Sequence, residues 1–162
     1  MRARIETNYG IILVELYEEQ TPKTVNNFTM LARQGFFSNL IFHRIVRGFV
    51  IQTGDPNTRN GTGDRSGWGR GGSERTVPLE ISPSLHNNVG FLGMARSQDP
   101  NSGSSQFYIN LTNNVGLDGS YTVFGKVTSG MEVVNAIASV KVDENDAPIT
   151  PNEAMMKSVS IE

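Results

Sequence analysis

Arg44 and Gln52 are the residues whose setting invites chemistry. They stand in the run Phe42-His43-Arg44-Ile45-Val46-Arg47-Gly48-Phe49-Val50-Ile51-Gln52, which reads as two short apolar strands joined at Arg47-Gly48. An apolar β-prone run normally excludes a guanidinium, because burying an unpaired charge is expensive. On these residues alone two readings are open. One is an edge strand with its arginine in water; the other is a surface patch, half apolar and half polar, shaped for a ligand. A later strand, Gln106-Phe107-Tyr108-Ile109-Asn110-Leu111, alternates so that Gln106 and Tyr108 share one face and Phe107 and Ile109 the other. Leu117 comes from a loop beyond it. Together these residues supply one permanent cation, two amide side chains and an apolar cluster, with no evident general base.

Few reactions need that combination. Rotation about an Xaa-Pro peptide bond does, because no covalent bond breaks and the barrier of ~18–20 kcal/mol comes from lost amide resonance. At the twisted transition state the prolyl nitrogen regains a localised lone pair. A hydrogen-bond donor aimed there stabilises that state more than the planar ground state. Arginine suits the task, since it stays protonated and its donor fork is rigid. A proline-peptide binding module with little turnover, chaperone-like in use, is the rival reading. Arg44 discriminates between them, because a pure binder has less need of the donor.

Other chemistries find little support. The two histidines, His43 and His86, have no ligand-like spacing, and His43 reads as a satisfied structural residue; no metal site is expected. Asp55, Asp64 and Asp118 lie among turn residues, where aspartate is at home. No Gly-x-Ser-x-Gly elbow occurs, and Ser104-Ser105 has no base beside it. Gly67 to Gly72 lacks the Gly-Lys-Ser/Thr ending of a phosphate-binding loop. Its Arg70-Gly71-Gly72 triplet with Trp68 is a weak signal for RNA in a chain of net charge −2, and no nucleic-acid partner is expected.

The 162 residues, 37% hydrophobic and 19% charged, suit one globular domain over residues 1–162. With no cysteine there are no disulfides, thiolate catalysis or cysteine-bound metals. The N-terminus lacks the apolar run of a signal peptide, and no stretch approaches the ~18 apolar residues that span a bilayer. The expectation is a cytoplasmic protein, monomeric and independent of membrane or cofactor.

The elements that must position the candidates follow from periodicity and punctuation. Arg2 to Thr7 and Ile11 to Leu16 flank Asn8-Tyr9-Gly10, a hairpin signal. Thr21-Pro22 starts a helix with Val25, Phe28, Leu31 and Ala32 on one face, ending near Gly35. Strands are expected over Leu40 to Val46 and Phe49 to Gly54. Glycine-rich Asp55 to Ser73 reads as a long loop, and the chain stays irregular to about Asn88. Strands return at Val89 to Ala95, Gln106 to Leu111 and Tyr121 to Val127. Ser129-Gly130-Met131-Glu132 reads as a capping box opening a second helix, and Met155 to Ile161 as a closing strand. About eight strands and two separated helices, with no βαβ alternation, point to an antiparallel barrel or sandwich with helices at its ends.

The motifs themselves resemble a family. Phe42-His43-Arg44-Ile45-Val46-x-Gly48-Phe49-Val50-Ile51-Gln52-x-Gly54-Asp55 is similar to the signature of cyclophilins, the cyclosporin-binding peptidyl-prolyl isomerases. Asn60-Gly61-Thr62-Gly63, Gly93-Met94-Ala95-Arg96, Ser105 to Ile109, Leu117-Asp118-Gly119 and Val123 to Val127 resemble further blocks of that family in order. The resemblance covers essentially the whole chain. It implies a mainly β fold: a closed eight-stranded antiparallel barrel capped by two α-helices, with the site on its outer surface. It implies that proline-containing peptides and unfolded proteins are the partners, and that Arg44 is catalytic. Phe49, Val50, Tyr108 and Leu117 would form the proline pocket, edged by Tyr121. Gln52, Gln106 and the backbone of Ala95 and Arg96 would bind the peptide.

Several positions depart from the family pattern. Val50 replaces a common methionine, Tyr108 the usual phenylalanine and Tyr121 a common histidine. The segment Ser97 to Ser104 is slightly longer than in compact animal members. Gly116 stands where cyclosporin-sensitive members carry tryptophan, so weak cyclosporin binding is expected.

Overall fold

Two residues, Asn8 and Tyr9, turn the first strand back on the second: β1 (Arg2–Thr7) pairs with β2 (Gly10–Leu16), Thr7 opposite Gly10. The structure, a computed structural model, describes residues 1–162. After α1 (Pro22–Arg33) come β3 (Leu40–Ile41), β4 (Arg44–Val46) and β5 (Val50–Thr53). A long loop carrying two 3-10 turns leads to β6 (Phe91–Met94) and β7 (Phe107–Asn110). β8 (Val123–Ser129), α2 (Met131–Ala138) and β9 (Met155–Ile161) complete the chain.

All nine strands form one antiparallel sheet in the order β3-β9-β1-β2-β8-β6-β7-β5-β4. Its two end strands are the halves of the single strand expected over Leu40 to Val46. Phe42 and His43 separate them: both are buried, and the Phe42 N–H leaves for the Ala154 carbonyl at 2.8 Å. The sheet therefore curls until its ends meet at a two-residue link, and the barrel is closed by the chain instead of by a ladder. That break is why nine strands appear where eight were expected.

The inward faces build one apolar core. Ile45, Ile51, Ile109 and Leu92 lie opposite one another across β4, β5, β7 and β6, none more than 1% exposed. α1 plugs one side of the core. Its Phe28 ring lies 5.1 Å from Phe37 and 5.4 Å from both Phe107 and Phe124. Burying each such ring contributes about 1.5–3 kcal/mol.

The helix starts differ from the sequence expectations. Thr21 is the N-cap residue of α1, but its hydroxyl turns back to the Tyr17 carbonyl at 2.9 Å. The cap comes from Glu80, far along the chain, whose carboxylate accepts the Lys23 N–H (3.2 Å), the Thr24 N–H (2.7 Å) and the Thr24 hydroxyl (2.7 Å). The capping box expected at Ser129 does not form. Ser129 is the last residue of β8, opposite Leu13, and Gly130 is the N-cap of α2 at φ 99°. A side chain at Gly130 would collide with the backbone of Ile11, so close approach of helix and strand decides this start. The other end of α2 is held by Arg47 in the β4–β5 turn, which donates to the Ala138 and Ser139 carbonyls at 3.2 and 2.8 Å.

Candidate active site

Strand register places the candidates in one outward-facing row. Arg44 is opposite Gln52, Gln52 opposite Tyr108, and Tyr108 opposite Gly93. Gly93 has no side chain, and the Tyr108 ring occupies the space a Cβ would fill. One residue along, the same strands carry the inward isoleucine row. Strand alternation alone thus separates core from site.

The amide pair is oriented by its surroundings. Gln106 Nε2 donates to the carbonyls of Gly69 (3.0 Å) and Gly71 (2.8 Å). Carbonyls only accept, so Gln106 Oε1 faces Gln52 and takes its Nε2 proton at 2.9 Å. The carbonyl end of Gln52 is left free. The glycine-rich loop is folded onto Asp55, which is fully buried and accepts the Asn57 N–H at 2.8 Å and the Gly69 N–H. A Cβ on Gly71 would strike the same carboxylate. Asp55, read from sequence as an ordinary turn residue, is the anchor of this loop.

A cavity of about 350 Å³ opens on this surface. Arg44, Phe49, Val50, Gln52, Ala95, Arg96, Tyr108, Leu117 and Tyr121 all line it. Gln106 does not; it lines an adjoining depression with Arg70, Gly71 and Ser102. Val50 and Tyr108 form the buried side of the cavity, at 2% and 4% exposure. The Arg44 guanidinium sits 5.8 Å from the centre of the Phe49 ring, exposed and paired with no carboxylate. Arg96 is differently engaged. It covers the Tyr121 ring at 4.7 Å and donates to the carbonyls of Ser120 and Ser97 at 2.8 and 2.9 Å. Tyr121 in turn meets Tyr108 edge-on at 6.1 Å. Burial pushes the Tyr108 phenol well above its ordinary pKa, so it stays a neutral donor, and its hydroxyl gives its proton to Asn87 Oδ1 at 2.7 Å.

Sequence reasoning missed part of the wall. His43, Arg65, Trp68, Asp143, Asn145 and Ala147 also line the cavity. His43 is not the satisfied histidine expected. It is buried, and neither ring nitrogen has a partner at hydrogen-bonding geometry. Burial holds its pKa below the ordinary imidazole value, against the pull of Asp55. Arg65 stacks over Trp68 at 4.8 Å and is tied to the Pro148 and Ile149 carbonyls at 2.9 and 3.0 Å. The Arg65–Trp68 pair carried a sequence signal, a cation three residues before an aromatic in a loop. Asp143 to Ala147 carried none, because only tertiary folding brings that segment here. Gly116 lies outside the lining, and a Cβ on it would meet no atom within 4 Å.

The family model for cyclophilin type peptidyl-prolyl cis-trans isomerases matches residues 2–161. Peptidyl-prolyl cis-trans isomerase ppi1 of Schizosaccharomyces pombe is 41% identical over 161 residues, covering 97% of each chain. Peptidyl-prolyl cis-trans isomerase-like 1 of Aspergillus fumigatus is 44% identical over 148 residues, 89% of this chain and 86% of that one. The crystal structure of a Cryptosporidium parvum cyclophilin type isomerase, solved in the presence of the dipeptide Ala-Pro, superposes with a TM-score of 0.89 at 36% identity. It covers 100% of this chain and 99% of that one. With its curled antiparallel sheet, the family model over residues 2–161 and these relatives, the chain belongs to the cyclophilin-type peptidyl-prolyl cis-trans isomerases.

Proposed function

We propose that this isomerase turns Xaa-Pro bonds of flexible or unfolded polypeptides at the Arg44 cavity, with Arg44 as the catalytic donor. The observation that carries the reading is the unpaired guanidinium, exposed beside Phe49 and directly opposite Gln52 in the ladder. The proline ring enters between Phe49, Val50, Tyr108 and Leu117, with Tyr121 at the rim. Gln52 offers its free carbonyl to a peptide N–H. The Ala95 N–H is spent on the Gln106 carbonyl at 3.0 Å, so this stretch offers the Ala95 carbonyl and the Arg96 N–H. Gln106 serves by holding Gln52 in place. As the amide twists, the prolyl nitrogen becomes pyramidal and basic, and Arg44 donates to it more strongly than to the planar ground state. Replacing Arg44 by alanine is expected to lower kcat/KM in a protease-coupled proline-peptide assay by about 100–1,000-fold. Activity within a few-fold of wild type would refute the role.

Weak cyclosporin binding is part of the same proposal. Gly116 stands where cyclosporin-sensitive members carry tryptophan, and it supplies no indole donor. Because the space around Gly116 is open, Gly116→Trp should fold and bind cyclosporin about tenfold or more tightly than wild type by calorimetry. Unchanged affinity would show that other positions set it.

A further inference from the structure

Asn87 and Asn110 are both fully buried, which is costly for an amide unless its polar atoms are bonded. Asn87 is bonded at every one. Its N–H and Nδ2 donate to Asp118 Oδ1 at 2.7 and 3.3 Å. Its Oδ1 accepts the Tyr108 hydroxyl at 2.7 Å and Asn110 Nδ2 at 3.2 Å, and its carbonyl accepts the Asn114 N–H at 2.7 Å. The chain of bonds goes on: Asn114 Nδ2 donates to Asn110 Oδ1 at 2.8 Å and to the Phe49 carbonyl at 3.0 Å. Asp118 is held from outside by His86 at 2.9 Å.

This network ends on two walls of the proline cavity, the Tyr108 ring and the backbone of Phe49. None of the three asparagines lines the cavity. The ladder fixes where Tyr108 starts but not where its ring ends. On the β6 side the neighbour opposite is Gly93, which offers no side chain, and Tyr121 meets the ring edge-on without a directional bond. The hydroxyl bond supplies that restraint.

We propose that Asn87 is a positioning residue for isomerisation: its bonds to Tyr108 and, through Asn110 and Asn114, to Phe49 fix the spacing of the two aromatic walls without touching substrate. The inference rests on the reading of the cavity as the proline site. A cavity held at one width binds the prolyl ring in one pose; a slack one binds it loosely, so the effect belongs in KM.

The test measures kcat and KM for an Xaa-Pro peptide with wild type, Arg44→Ala, Asn87→Ala, Tyr108→Phe and the Asn87→Ala/Tyr108→Phe pair. Asn87→Ala is expected to raise KM about tenfold with kcat little changed. Its effect should shrink at least threefold in the Tyr108→Phe background, since the shared bond is already gone. An equal loss in both backgrounds, or an unchanged KM, overturns the proposal. If Asn87→Ala does not fold, Asn114→Ala cuts the branch to Phe49 at its bonds to Asn110 and the Phe49 carbonyl and leaves the Asn87–Tyr108 bond in place. A rise in its KM of about threefold supports the relay, and a wild-type KM overturns it. The wild-type and Arg44→Ala measurements report on the proline-site reading by themselves. A slowly exchanging Tyr108 hydroxyl proton in the NMR spectrum, lost in Asn87→Ala, reports the bond without reference to turnover.

Discussion

Arg44 and His43 are neighbours whose charges are set in opposite ways. Arg44 points to water and keeps its charge by its own chemistry. His43 is buried beside the glycine-rich loop, and burial favours its neutral form. Folded His43 resists protonation, whereas the unfolded imidazole takes a proton near pH 6.5. The unfolded state therefore binds more protons below that pH, and the His43 contribution, complete above about pH 6.5, is lost as pH falls toward the lower folded value. Urea midpoints measured from pH 7.5 down to 5 should fall below about pH 6.5 in wild type and fall less in His43→Gln. Identical profiles for the two would contradict this burial effect. Arg44 was legible in the sequence because a guanidinium in an apolar run is conspicuous. The role of His43 as a wall was not, because nothing in the order of residues says which way a strand breaks at positions 42 and 43.

Among the elements, α1 shows how a helix start is decided from elsewhere. Thr21-Pro22 marks its position correctly, yet the carboxylate that closes the first turn is Glu80, brought in by the irregular segment before β6. Glu80→Ala is expected to cost about 0.5–2 kcal/mol, the range for loss of a cap, read from the shift in urea midpoint. Thr21→Ala should be judged beside it: its hydroxyl serves the Tyr17 carbonyl and not the helix. A Glu80→Ala midpoint equal to wild type would contradict the remote cap. The failed capping box at Ser129 teaches the same lesson. Its spacing is right, but Gly130 packs against Ile11 and moves the helix start by one residue. Local patterns name the helices; tertiary contacts choose their ends.

Over the whole molecule, alternation carried most of the fold. The inward rows of Ile45, Ile51, Ile109 and Leu92, and the outward rows of Arg44, Gln52 and Tyr108, can be read from period-two patterning once the strands are placed. The mainly β class and most strand positions were accessible for that reason, and the two helices from their start signals and one-sided apolar spacing. Closure through Phe42-His43 was not, since a ladder order of nine strands depends on pairings between distant segments. The contribution of Asp143 to Ala147 to the cavity was hidden for the same reason. The asparagine network behind Tyr108 joins residues 87, 108, 110, 114 and 118, and only the finished barrel brings it together.

The central claim is that this barrel surface lowers the rotational barrier through one cationic donor. The most direct measurement is exchange NMR on a proline peptide, which separates binding from the on-enzyme cis/trans rate. Arg44→Ala should bind the peptide within a few-fold of wild type while its on-enzyme rate falls by about 100-fold or more. An on-enzyme rate equal to wild type, at matched saturation, would contradict the account.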